Sequence, residues 1–331
     1  MDLFQAEKSH VEDINTYADK AFLLDPKLNE SLIGKALYYM QVGKYELATQ
    51  FFNKVLDQSP GNGWTHNLLS TIYSVHLPDA QAYLRHAIQG IHYAVAGQDS
   101  VTTSFAYLHL GNALSQNGFL KEADTYVEKS LAYQPDNLFS GMLSVYTQMG
   151  QDYDLEQAYL RLLALLEKDS SFLPTIQELA KIAFYRGDYE VAWSYYQRML
   201  ALEQAAGMDV YPGVDINIAY TLEQLGRAEE AKAYREAYHG YLQGEESIYR
   251  DLGFAFYYAS VGEQEKAMAS LEAFSKQDGY QYWFVSFIEE DPIMRGLAEN
   301  PAYAGIMARI KEKFWAQHRE MRVELEGEGV L

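Results

Sequence analysis

Residues 107–135 read YLHLGNALSQNGFLKEADTYVEKSLAYQP, and the fold is decided in this stretch. Tyr107, Leu110, Gly111, Leu114, Gly118, Ala123, Val127 and Pro135 stand at offsets 0, 3, 4, 7, 11, 16, 20 and 28 from its first residue. Offsets of three, four and seven place side chains on one face of a helix. Gly118 falls where that helix should stop. A second apolar-periodic run begins with Ala123, and Pro135 ends it. The unit is therefore two antiparallel helices, packed closely through the small residues Gly111 and Ala123.

The pattern recurs. Residues 32–60 give Leu32, Ala36, Tyr39, Gly43, Ala48, Phe52 and Pro60 at offsets 0, 4, 7, 11, 16, 20 and 28. Further copies carry Gly187 with Ala192, Gly226 with Ala231, and Gly262 with Ala267. Two weaker copies surround Ala80, with a turn shortened around Pro78, and Ala158. A half-copy with Ala18, Ala21 and Pro26 opens the chain. The alanines at 48, 80, 123, 158, 192, 231 and 267 are 32, 43, 35, 34, 39 and 36 residues apart, which places insertions near 90–103 and 204–213.

These residues resemble the tetratricopeptide repeat, a helix–turn–helix unit with a period of about 34 residues. One such hairpin cannot bury its apolar stripe alone, so neighbours stack around a shared core. The expected fold is all-α: a right-handed α-α superhelix of seven to eight hairpins over residues 1–278, followed by a helical cap over 279–331 packed on the last repeat. Its concave face would be lined by the first helix of each pair, forming a groove suited to a protein or peptide partner.

Composition narrows the function. The formal charge of −20 disfavours direct nucleic-acid contact, which relies on clustered Lys and Arg. No run of about 18 apolar residues could span a bilayer, so no membrane insertion is expected. With no cysteine, disulfides and thiolate metal sites are excluded. The eight histidines (10, 66, 76, 86, 92, 109, 239 and 318) are scattered and form no close ligand set. Gly61-Asn62-Gly63 lacks the Lys-Ser/Thr that follows a phosphate loop, and neither GxSxG nor GxGxxG occurs. Glu289-Glu290-Asp291 reads as a solvated helix end before Pro292. No metal, cofactor or enzymatic activity is expected. Asn112, Ser115, Lys181, Tyr185, Tyr220, Tyr249 and Phe256 fall at first-helix positions and are the candidate groove residues.

In the tail, Trp283, Phe284, Phe287 and Ile288 form an apolar stripe that Asp291-Pro292 ends. Asn300 is set to cap a last helix that starts at Pro301. The spacing of Trp283, Asp291, Pro292, Leu297, Pro301 and Tyr303 resembles the C-terminus of a group of bacterial signalling proteins. In that group a repeat array follows an AraC-type or winged-helix DNA-binding domain, or a nucleotide cyclase, often with one membrane span between. The resemblance implies the sensory or interaction portion of a transcriptional regulator, periplasmic if that arrangement holds and cytoplasmic otherwise. The alternative is a small-ligand or peptide effector-binding domain of a signalling protein such as a cyclase-linked regulator. Self-association into a homodimer through the tail or an open solenoid end is compatible with either.

Overall fold

The computed structural model describes the backbone of residues 8–94, 99–327 and 329–331, and the side chains of 15–91, 99–327 and 329–331. The side chains of His10 and His92, and part of the insertion expected near 90–103, lie outside the described residues. Seventeen α-helices, and no strand, occur among the described residues. Helix α1 (Lys8–Leu24) stands alone and packs on α2. Seven antiparallel hairpins follow: α2 (Asn29–Gln41) with α3 (Tyr45–Gln58), α4 (Gly63–Thr71) with α5 (Ala80–Ala94), and α6 (Ser100–Gln116) with α7 (Leu120–Tyr133). Next come α8 (Leu138–Asp152) with α9 (Leu155–Lys168), and α10 (Leu173–Arg186) with α11 (Tyr189–Ala206). The last two are α12 (Asp215–Gln224) with α13 (Ala228–Gly244), and α14 (Arg250–Ser260) with α15 (Gln264–Phe274). Stacked in order, they form an all-α superhelical solenoid.

The repeat positions act as their spacing predicts. Ala48, Ala123, Ala192, Ala231 and Ala267 are all fully buried. A Cβ on Gly111 would stand 3.2 Å from Val127 Cγ2 and 3.3 Å from the Ala123 carbonyl, so only glycine permits that approach without a shift. Gly43, Gly118, Gly187, Gly226 and Gly262 occupy the left-handed region, with φ of 73, 82, 79, 74 and 75°, and each turns the chain from the first helix into the second. The α4–α5 copy departs from this form. There α4 runs on into a π-helical turn, Ile72–His76, before Pro78, and Asp79 caps α5 by accepting the Gln81 and Ala82 N–H groups. The insertion near 204–213 is realised as an α11 of 18 residues and a short 3₁₀ turn, Pro212–Val214.

After α15 the chain reverses course. Helix α16 (Tyr282–Phe287) leads into a 3₁₀ turn, Met294–Leu297, and then into the 25-residue α17 (Tyr303–Gly327). Asn300 accepts the Ala302 N–H in a turn, and α17 starts at Tyr303 rather than Pro301, because residues 301–302 still belong to that turn. The beginning of α17 shares a core with the last hairpin through Met307, Ile310, Leu271 and Phe274. Its other end reaches back to the second and third hairpins. His318 stacks on Phe119 at 4.2 Å, and its Nδ1 is 2.8 Å from the Asn117 carbonyl. Met321 and Leu325 enter the core of Tyr83, Leu84 and Leu114. Arg85 grips Glu324 with two 3.0 Å hydrogen bonds.

Area removed from water, not charge, should carry this return contact. Leu325 is buried to 1% exposure, so Leu325→Ala should cost about 2–5 kcal/mol. The Arg85–Glu324 pair is half exposed, and Glu324→Gln should cost less than about 1 kcal/mol. Urea unfolding midpoints of the two variants test this ranking, and a reversed order would refute it.

Candidate functional site

The first helices of the later hairpins line the concave face, and the returning chain covers it. Between them lies a cavity of about 390 Å³. Tyr146 and Met149 come from α8, Lys181, Ile182 and Tyr185 from α10, and Ile216 and Asn217 from α12. The end of α13 and the start of α14 add Tyr241, Glu245, Tyr249, Leu252 and Phe256. The cover is α16 with the turn after it: Trp283, Phe284, Phe287, Ile288 and Asp291.

Aromatic contacts hold the cover in place. Trp283 meets Tyr146 edge-on at 5.3 Å, Phe284 stacks on Tyr249 at 3.9 Å, and Phe287 lies 5.8 Å from Tyr185 and 5.5 Å from Tyr153. Two polar contacts fix its register. The Tyr282 hydroxyl donates to the Gly150 carbonyl at 2.8 Å, and the Gln281 N–H donates to Tyr249 Oη at 2.8 Å. Offset and edge-on rings of this kind add about 0.5–1.5 kcal/mol per pair beyond burial.

Of the candidate residues, Lys181, Tyr185, Tyr249 and Phe256 come together around this cavity. Tyr220 stands beside it, its ring 5.8 Å from Phe184 and 6.0 Å from Tyr189. Asn112 and Ser115 are elsewhere. Ser115 is fully buried and its hydroxyl donates to the Asn112 carbonyl, so its place on α6 turns it into the helix packing, not the groove. Asn112 points its amide at Tyr83 Oη, 3.4 Å away.

Asp291 corrects the expectation of a solvated acidic run. Glu289 and Glu290 are exposed, but Asp291 is only 3% exposed. The turn at Pro292 aims its carboxylate inward, where it accepts the Ile293 N–H at 2.9 Å and interacts with the Tyr185 hydroxyl. It forms no salt bridge among the described residues. Burial pushes its carboxyl up to about 7, against the opposing pull of these hydrogen bonds and of Arg295. Two other charged groups line the cavity. Lys181 Nζ is 2.7 Å from Glu178 and lies over the Tyr146 ring, while Glu245 accepts from the Tyr241 hydroxyl at 2.6 Å and the Ser247 N–H at 2.8 Å. Among the described residues, no group of three His, Cys, Asp or Glu could hold a metal ion. The paired His66 and His86, with Nδ1 atoms 2.9 Å apart, lie in the second hairpin, away from this cavity.

The tetratricopeptide repeat family model matches residues 30–62 and 106–137, which supports that family for the hairpin unit. No curated protein matches the chain in sequence. Among solved structures, a monomeric mutant of IFIT1 with Gppp-AAAA superposes with a TM-score of 0.53 at 14% identity, over 94% of this chain and 67% of that one. PilW, a widely conserved type IV pilus biogenesis factor, gives 0.47 at 17% identity, over 66% of this chain and 95% of PilW. YrrB, a TPR protein with an unusual peptide-binding site, gives 0.40 at 14% identity, over 56% of this chain and 92% of YrrB. The IFIT1 likeness carries the solenoid fold. None of the described helices of this chain is long and apolar enough to cross a membrane.

The buried carboxyl sets a pH dependence. In an unfolded chain an Asp titrates near about 3.9. Folded Asp291 therefore holds its proton over the interval up to about 7 in which the unfolded chain has released it. Its contribution to stability is full below about 4 and is lost as pH rises through about 7. His86, lowered to about 4 by burial, and His318, also lowered by burial, act in the opposite sense. The test is therefore the difference between parent and Asp291→Asn. Between pH 4.5 and 8, the variant should gain roughly 2–4 kcal/mol on the parent in urea unfolding. Parallel profiles would rule this out.

Proposed function

We propose that the chain is a non-catalytic binding scaffold whose covered groove receives a small effector. In this reading it forms the sensory and interaction portion of a larger bacterial transcriptional regulator. The observation that carries the effector reading is the partial covering of the concave face by α16. An open solenoid groove suits an extended peptide, whereas α16 here occupies that groove and leaves a space within the usual range of small-molecule sites, about 300–1,000 Å³. Aromatic walls with a few convergent polar groups suit binding better than bond chemistry. Asp291, Glu245 and Lys181 are each engaged by neighbours, and no Ser, Thr, Cys or His is among the lining residues.

The regulator reading is supported by the tail, whose motif residues have structural tasks. Trp283 and Asp291 line the cavity, and Leu297 and Tyr303 are buried in the core that holds the cover. An effector that altered the cover would alter the course of α17 and so the outer surface available to partner proteins. The Gppp-AAAA bound by the IFIT1 mutant does not carry over. At 14% identity only the fold is shared, and a chain of charge −20 with two carboxylates in its cavity is poorly suited to an anion.

Two measurements test these readings. A thermal-shift screen of metabolites should find a ligand that raises the unfolding temperature by several degrees, since saturation at about 100 times Kd contributes about 2.7 kcal/mol. Phe256→Trp, which fills the cavity, should abolish that shift while leaving the chain folded. No shift with any metabolite, together with capture of a peptide by the groove, would reject the effector reading. Reading the native gene upstream of Met1 tests the regulator: a DNA-binding domain is expected, and its absence would leave only the scaffold.

A further inference from the structure

The charge and surface of the cavity select among ligand classes. The Lys181 ammonium is balanced by Glu178 at 2.7 Å, so the pair contributes no net charge to the cavity. Glu245 and Asp291 remain, both carboxylates, without a salt-bridge partner among the described residues. Glu245 is half-buried, accepts from the exposed Tyr241 and marks the more exposed end. Asp291, 3% exposed, marks the inner end. A buried carboxylate with no cation against it is costly, and a bound cation relieves that cost.

The walls between these ends are ring faces and edges, among them Tyr146, Tyr185, Tyr249, Phe256 and Trp283. Rings of this kind attract a cation through their quadrupoles, and desolvation strengthens the attraction.

We propose that this cavity is a binding site for a small organic ammonium ion with an apolar body. The ammonium sits against Asp291 among the aromatic rings. An anion is rejected by the two carboxylates, and an uncharged molecule of the same shape leaves Asp291 unpaired. This assignment rests on the effector reading above and gives that effector its chemical class.

Calorimetric titration of the full chain with choline, its neutral isostere dimethylbutanol, and benzoate tests it. Choline should bind saturably and at least about tenfold more tightly than the isostere, with no binding of benzoate up to about 10 mM. Asp291→Asn should weaken choline at least about tenfold. Should Asp291→Asn fail to fold, Trp283→Leu removes a ring while keeping an apolar side chain and should weaken choline by a larger factor than the isostere. Equal binding of choline and isostere, or preference for benzoate, overturns the ammonium assignment and leaves the effector cavity standing. Absence of binding by all three, with a silent metabolite screen, overturns both.

Discussion

The contact between His318 and the turn at Asn117–Phe119 turns an open solenoid into one with a covered groove. Helix α17 has the length for this task. At 25 residues it extends about 37 Å, enough to run from the last hairpin to the second and third. One end is anchored among Leu271 and Phe274, and the other among Tyr83, Leu84 and Phe119. With both ends fixed, the segment before it has little freedom. α16 is laid along the concave face, and Asp291 is carried into the interior. The ion pairs of Arg85 with Glu324 and Arg322 with Glu122 are partly exposed and orient the helix, while the apolar ends hold it.

This arrangement separates what could be read along the chain from what could not. The hairpins were legible because each must bring two helices together over a small residue, and that need leaves a glycine or alanine at a fixed interval. Lys181, Tyr185, Tyr249 and Phe256 could be placed near the groove for the same reason, since the repeat fixes which face of a first helix turns inward. Ser115 shows the limit of that frame. A rotation of a fraction of a helical turn decides between groove and core, and α6 turns it into the core. Asp291 was illegible for a different reason. An acidic run before proline has the pattern of a solvent-exposed helix end, and only contacts more than a hundred residues away in sequence, with Tyr185 and through Tyr282 with Gly150, bury it. The trace it did leave is the spacing of Trp283, Asp291 and Pro292 in the tail.

The weak copies of the repeat carry information of their own. In the α8–α9 hairpin, the position that is glycine in five others is Tyr153, with φ of 55°. A left-handed non-glycine residue costs roughly 1–2 kcal/mol and persists where its surroundings fix it. Here the Tyr153 ring meets Phe287 of the cover, and burial with nearby Glu290 raises its hydroxyl to about 12. Three residues earlier, a Cβ on Gly150 would stand 2.8 Å from a Leu120 methyl and 3.2 Å from the Trp283 ring, so a larger residue would crowd α16. The end of α8 thus departs from the repeat twice, once with a ring where the turn favours glycine and once with a glycine where the cover needs room. Both departures face the same segment. A solenoid built only to propagate would have no reason for either, whereas one that must receive its own C-terminal segment needs a docking place, and α8 supplies it at the edge of the cavity.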